Sequence, residues 1–454
     1  PPVSASPDHL FHRVSPSSFH MPIKKREIFG WAMYDFANSA FATTILAVIF
    51  NQYFATVVAG GEKGVALFGL RLHGASFFTF SVSLSMALSA IFSPFLGAVA
   101  DASGSKKRFL MAFCFAGVLF TGLLYFIHAG DYWMGAIFFI LANIGFAEGN
   151  VFYNAFLPEI STDQNIGRIS GLGWALGYIG GGTLLAINLV MLKYPEWFGF
   201  PTGYFTVQDC FLSVAFWWLI FSLPIFLFLK ERSRASLPSI EGGYFLEGYR
   251  RLQHTFRRIK TFKELTKFLF AFLIYNDGIE TVIVMASIFG ADVLGMKTNE
   301  LILFFLMVQG IAFVGSMIFG FLADAIGSKR TVMISLGIWS LIVLWAFQLG
   351  IIWDPKTEYW ILGALVAIVL GGSQAASRSL QGIFTPDSNS AEFFAFFGVS
   401  GKFASIFGPL IYGILIAITG SVQSGVLSVL LFFVVGMVIL WTVNEKRGME
   451  EKER

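Results

Sequence analysis

Charge is scarce in this 454-residue chain: Asp, Glu, Lys and Arg supply 13% of it against 56% hydrophobic residues. That ratio leaves too little polar surface to cover a soluble domain, so a soluble globular fold is excluded. Cysteine is scarcer still. Cys114 and Cys210 both fall inside apolar runs, which argues against a disulfide framework or a thiolate metal site and predicts two buried free thiols. The six histidines, His9, His12, His20, His73, His128 and His254, lie in tails, span ends or the central linker. No imidazole is therefore placed in mid-membrane for acid–base chemistry or zinc. A GxxxxGK[ST] phosphate loop is missing, so nothing suggests nucleotide-driven transport, and neither a metal nor another cofactor is expected. N-x-[ST] sequons are missing too, and with the short tails this leans towards a bacterial inner membrane.

What the chain has instead is apolar length. Runs of about 20 residues suffice to cross the hydrocarbon core. They can be marked near 29–57, 73–100, 108–128, 132–156, 169–192, 209–229, 267–294, 300–323, 331–352, 358–382, 393–418 and 422–443. The expected fold class is an all-α membrane protein of twelve transmembrane helices. Residues 1–28 open with "PPVSASPDHLFHRVSPSSFH", rich in Pro and Ser and without the basic start and apolar stretch of a signal peptide. They read as a disordered or extraneous tail, with Met21 a candidate natural start. From Lys24 onward, one set of connections and tails carries 23 Lys and Arg, and the other carries five, Lys63, Arg71, Lys193, Lys297 and Lys356. The positive-inside rule then puts both termini in the cytoplasm, so the net charge of +3 reflects topology and gives no case for nucleic acid as a partner.

An internal repeat divides the chain. "GAVADASGSKK" at 97–107 and "GFLADAIGSKR" at 320–330 agree at seven of eleven positions, 223 residues apart, each after the second span of its half. "YDFANS" at 34–39 and "NDGIET" at 276–281 echo one another, each presenting an Asp, a polar group three residues on and a hydroxyl four on. The expected organisation is a six-helix bundle over 29–230, a basic linker over 231–266, a second bundle over 267–443 and a charged tail over 444–454. Such duplicated bundles commonly hold a solute near the bilayer midplane between them. In the linker, Phe245, Tyr249, Leu252, Phe256 and Ile259 recur every three or four residues, an amphipathic helix pattern. It predicts either a helix along the inner membrane surface or a solvated connecting helix.

These residues resemble the major facilitator superfamily. Its loop signature is met by Gly97, Asp101, Gly104, Lys106, Lys107 and Arg108, and again by Gly320, Asp324, Gly327, Lys329 and Arg330. The resemblance implies two pseudo-symmetric six-helix bundles, with each Asp capping a helix of the opposite half and holding the cytoplasmic side closed. The chain departs from the pattern where Ala102 and Ala325 replace the usual basic residue, which removes the Arg of a charge relay. Within the superfamily it looks most like the branch of the fungal vacuolar amino-acid effluxer of autophagy and its bacterial relatives. The matching stretches include "YDFANSAFATTI", "YNAFLPE", "SGLGWALGYIGGG", "YNDGIETVIVMASIFG" and "GGSQAASRS".

The same resemblance implies that spans 1, 4, 7 and 10 line a central cavity. Charge inside a membrane costs about 2.5–3.5 kcal/mol per residue on insertion scales and marks a path or a partner. Asp35 and Asn38 fall on span 1, Glu148 on span 4, Asp277 and Glu280 on span 7, Gln374 and Arg378 on span 10 and Lys402 on span 11. They are the candidate substrate-binding or proton-coupling residues, expected to converge on one wet pocket. Interhelical packing bonds are the competing reading for Asp35 and Asn38, and a cytoplasmic helix end for Arg378. Counting from the inner ends puts Asp35 roughly 9 Å deep and Asp277 and Lys402 roughly 14–15 Å deep. Asp277 and Glu280, three apart, share one helical face. On span 4, Asn143, Asn150 and Asn154 form one stripe and Glu148 points away from it, so the repeat directs Glu148 to the cavity and the Asn residues to neighbouring helices. Gln309 reads as packing, the glycines from Gly171 to Gly182 as close helix contact, and Gly408–Pro409 as a kink. The function expected is a monomeric secondary transporter, without enzymatic activity, moving an amino acid or related small solute with protons by alternating access. A carboxylate-based enzyme or receptor on the same frame is the alternative.

Overall fold

The computed structural model describes residues 24–67, 70–232, 246–250, 252–253, 261–404, 407–420 and 422–453. Twelve of its helices are long and apolar enough to span a membrane. They are span 1 (Lys25–Val58), span 2 (Gly74–Ser103), span 3 (Lys106–Phe126), span 4 (Tyr132–Ala155), span 5 (Ile166–Lys193) and span 6 (Val207–Phe228) in the first half. The second half holds span 7 (Lys263–Ala291), span 8 (Glu300–Ile326), span 9 (Ser328–Phe347), span 10 (Pro355–Phe384), span 11 (Asp387–Thr419) and span 12 (Gln423–Trp441). An even number of crossings brings both ends of the described chain to one face, called here the terminal face. The one β element among the described residues is a short antiparallel hairpin, β1 (Val65–Leu67) and β2 (Leu70–Leu72), in the connection between spans 1 and 2. The first 23 residues, and Phe245, Phe256 and Ile259 of the linker pattern, lie outside the described residues; Leu246–Arg250 is helical and Gly248 rests on Val99 of span 2.

The two bundles meet along two helix pairs, span 5 on span 8 and span 2 on span 11. Adding six to the span numbers exchanges these pairs, so the repeat in the sequence is a two-fold in the packing. Local sequence explains several boundaries. Asp354 caps span 10 by accepting from Thr357 N at 3.2 Å, and Pro355 sits at the first helical position, where no amide donor is needed. Span 11 is built of two helices, Ser390–Phe403 and Phe407–Thr419, with Pro409 in the first turn of the second, where it is tolerated. Span 1 widens into a π-helical segment over Phe41–Val48, directly after the polar stretch. Such segments occur frequently at functional sites.

At the terminal face each bundle ends in the same arrangement. Glu231, after span 6, accepts from Lys106 N at 2.6 Å at the start of span 3; Glu445, after span 12, accepts from Ser328 N at 3.2 Å at the start of span 9. Glu445 opens a C-terminal helix, Glu445–Lys452, whose Gly448 packs on Phe384. Burial pushes the Glu445 carboxyl above its usual range, with the Ser328 amide pulling the other way. A carboxyl whose pKa rises on docking binds its proton better docked than free, so docking is strongest below the free-glutamate value and weakens as pH climbs through the docked one. Hydrogen exchange over 445–452, corrected for intrinsic chemistry, should therefore show greater protection at about pH 5 than at about pH 8, and Glu445→Gln should flatten the difference.

Candidate functional site

Span 1 delivers Asp35 to the bundle interface and span 10 delivers Arg378 opposite it. Their side chains pair at 2.9 Å, at 9% and 3% exposure. Neither partner is held by the other alone. Asp35 also accepts from Tyr153 OH at 2.8 Å; Arg378 donates to Ser170 Oγ at 3.1 Å, Ser170 O at 2.6 Å and Asn154 Oδ1 at 3.2 Å. The guanidinium lies 4.9 Å from the Trp31 ring, 5.1 Å from Trp174 and 5.7 Å from Tyr153. Span 5 must carry glycine here, because a Cβ on Gly173 would stand 2.7 Å from both Arg378 Nη2 and Asp35 Oδ2. The pair joins spans 1, 4 and 5 of one half to span 10 of the other. Arg378 is thus no cytoplasmic helix end but a buried interfacial cation.

A second pair crosses the interface at Lys402 and Glu148, 3.3 Å apart, with Ser93 donating to the same Glu148 oxygen at 2.5 Å. The stripe on span 4 bonds to neighbours as its spacing implies: Asn143 to Ser85, Asn150 to Asn38 and Asn154 to Arg378. Asp277 stands apart from both pairs. Its carboxylate accepts from Gly408 N at 2.8 Å, in the first turn of the outer helix of span 11, where unpaired amides and the helix dipole favour an anion. Glu280 lies one turn on along span 7.

The repeated loops sit beneath these groups on the terminal face. Asp101 accepts from Ala391 N at 3.2 Å and Glu392 N at 2.9 Å, at the start of span 11; Asp324 accepts from Gly167 N at 2.7 Å and Arg168 N at 3.1 Å, at the start of span 5. The acceptors are 223 residues apart and the donors 224, so the contact obeys the repeat. Gly104 (φ 58°) and Gly327 (φ 95°) make the turns after each Asp in backbone that favours glycine. Gly97 abuts Ala391 and Gly320 abuts Gly167, each across the interface. The cation missing beside Asp324 arrives from span 5, where Arg168 Nε pairs with it at 2.7 Å, while Lys106 Nζ meets Glu159 and Ser390. Lys107 and Lys329 instead tie down the ends of spans 6 and 12 through Leu229 O and through Trp441 O and Val443 O; Arg108 and Arg330 are exposed. Asp101→Ala or Asp324→Ala, which removes the cap altogether, should weaken closure by about 0.5–2 kcal/mol, a roughly two- to thirtyfold shift. Faster maleimide labelling of Ile166→Cys, which faces Gly382 across the interface, would report it.

A cavity of about 370 Å³ lies on the far side of these latches. Its walls are apolar, from Val282, Met285, Phe304, Val308, Leu362 and their neighbours, while Ser39, Trp174, Tyr178, Gln309 and Gln374 bring polar groups to it. Tyr178 OH bonds Gln374 across the interface. Of the eight candidate residues only Gln374 lines this cavity. The expected convergence of Asp35, Asn38, Glu148, Asp277, Glu280, Arg378 and Lys402 on one wet chamber is therefore corrected. A buried charge is stabilised by partners, and Asp35, Glu148, Arg378 and Lys402 found theirs across the bundle interface, Asp277 at a helix start. Glu148 bonds helices as the Asn residues do, and span 4 contributes no lining residue; spans 5 and 8 take its place, with Gln309 a wall residue and not plain packing. Asp35 and Arg378 nonetheless lie one helical turn from Ser39 and Gln374, just beyond the lining. The π-helical turn, which supplies Ala42, Thr43 and Ala47, had no sequence signal beyond its run of Thr43, Thr44 and Ile45.

With this geometry in place, comparison with known proteins is decisive for the family. The description "Vacuole effluxer Atg22 like" matches residues 23–453. The chain belongs to the Atg22-like family. The uncharacterized MFS-type transporter YxiO of Bacillus subtilis (strain 168) is 30% identical to this Atg22-like chain, over 94% of it and 96% of YxiO. Autophagy-related protein 22 of Eremothecium gossypii is 24% identical, over 94% of this chain and 92% of its own. Among solved structures, the human organic anion transporter MFSD10 (TETRAN) superposes with TM-score 0.67 at 14% identity, covering 92% of this chain and 100% of its own. The proton:xylose symporter XylE gives 0.66 at 13%, covering 94% and 97%. The fold is that of the major facilitator superfamily, and the Atg22-like protein is a multi-pass membrane protein of a transporter family.

Proposed function

We propose that this protein moves a small solute with an apolar body and a polar head, an α-amino acid or a related metabolite, by alternating access, and that protons drive it. The observation that carries the reading is the position of the cavity between the halves, backed on one side by interface bonds obeying the repeat. On that side lie the Asp101 and Asp324 caps and the Asp35–Arg378 pair. Rocking of one bundle against the other would break these bonds and expose the cavity to the terminal face, which by its basic residues is the cytoplasmic one of a bacterial inner membrane. Replacing a buried ion pair by apolar groups is often neutral or stabilising, so stability alone gives no reason to keep Asp35 and Arg378; a bond that must break each cycle does. Asp277 is the proposed proton carrier. Its protonation would trade a charge-assisted cap on the outer helix of span 11 for a neutral one and loosen that helix.

Counterflow in proteoliposomes tests the reading. Vesicles preloaded with a mixture of unlabelled amino acids should accumulate radiolabelled amino acids transiently, and an imposed pH gradient should raise the rate. No exchange of any amino acid would overturn the substrate class, and product formation without exchange would favour a membrane enzyme.

A further inference from the structure

Three rings face the Arg378 guanidinium, and one of them also reaches the cavity. Trp31 and Tyr153 are fully buried and stacked on each other at 4.5 Å, with Trp31 Nε1 donating to Tyr153 O. Trp174 differs. It lines the cavity, yet its ring lies 5.1 Å from the Arg378 guanidinium. Its Nε1 is buried with no hydrogen-bond partner among the described residues, so ring contacts alone fix the indole. On either side along span 5, Gly173 faces the ion pair and Gly177 faces Ser39. One turn further, Tyr178 contacts the Trp174 ring at 6.1 Å and bonds Gln374, which precedes Arg378 by one turn on span 10.

We propose that Trp174 is a positioning residue that couples occupancy of the cavity to the Asp35–Arg378 pair; the proposal rests on the transport reading above. With the cavity empty, the indole holds the guanidinium towards Asp35 and the terminal face stays shut. A solute pressing on the cavity side of the ring shifts it off the cation, the ion pair loses one of its supports, and the halves part. Cation–π contacts strengthen when desolvated, so a small ring displacement in this dry layer changes the stability of the closed state appreciably.

The test reads closure through maleimide labelling of Ile166→Cys in the full-length protein in nanodiscs, with Cys114→Ser and Cys210→Ser removing the native thiols. Trp174→Leu should speed labelling about tenfold, while Trp174→Phe, which keeps an aromatic face, should stay within about twofold of the parent. In an Arg378→Met background Trp174→Leu should add nothing, since the cation it acts on is gone. Equal acceleration in that background would make Trp174 ordinary packing and overturn the proposal, as would no acceleration in the parent. In proteoliposomes fed the labelled amino-acid mixture, Trp174→Leu should lower the maximal rate far more than it changes the half-saturating concentration. An inactive parent there would sink the proposed substrate class, while the labelling cycle would still decide the coupling.

Discussion

Arg378→Met should cost the fold about 3–5 kcal/mol and stop transport, because it leaves Asp35 charged, buried and without its main partner. The size follows from the site: Asp35 sits at 9% side-chain exposure among Trp31, Tyr153 and Gly173, so little solvent reaches its charge. The double variant Asp35→Asn with Arg378→Met should recover most of that stability, since the remaining groups are neutral and Asn can still accept from Tyr153. Transport should not return with it. Thermal unfolding in detergent and uptake in proteoliposomes measure the two quantities separately. Recovery of both would mean that the pair only holds the bundles together, and recovery of neither would place the defect elsewhere in the interface.

Asp277→Asn is the second large effect. Asn keeps the shape of the cap on the outer helix of span 11 and can still accept from Gly408 N, so unfolding should be little changed. The charge that a proton would cancel is gone. Uptake driven by an imposed pH gradient should fall to the rate seen without one, while exchange at equal pH on both sides persists. Glu280, one turn along span 7, is the carboxylate that would take over the proton if Asp277 were dispensable. Glu280→Gln should therefore leave the pH response largely intact, and the reverse pattern of the two variants would reassign the carrier.

Sequence and structure agree where a pattern is enforced by the membrane or by duplication. The twelve apolar runs lie within a few residues of the twelve spans because no other arrangement satisfies so many backbone groups in lipid. The latches were legible through the resemblance, because Asp101 and Asp324 repeat with their glycines and the major facilitator signature they match implies that each caps a helix of the opposite half. What the sequence did not resolve is which charge meets which. Asp35, Glu148, Arg378 and Lys402 could be assigned to spans, but their partners depend on helix rotation and on bundle contacts that no local pattern encodes. A charge in the membrane signals only that some partner exists, and here the partner was a side chain of the other half in place of a solute. The cavity walls were obscure for a related reason. Val282, Phe304 and Leu362 look the same in sequence whether they face lipid, a neighbour or a chamber. Span 11 shows the intermediate case: Gly408–Pro409 signalled an irregularity, but only the coordinates put the Asp277 carboxylate against it.

The most direct test is the distance between spin labels at Asp163→Cys and Ser388→Cys, two exposed positions on the terminal face, one in each half. With Arg378 and both Asp caps intact, one short distance should dominate. In the Asp101→Ala and Asp324→Ala double variant a second, longer distance should appear as the halves separate on that face. An unchanged single distance in the double variant would contradict the claim that these repeated contacts hold the protein closed.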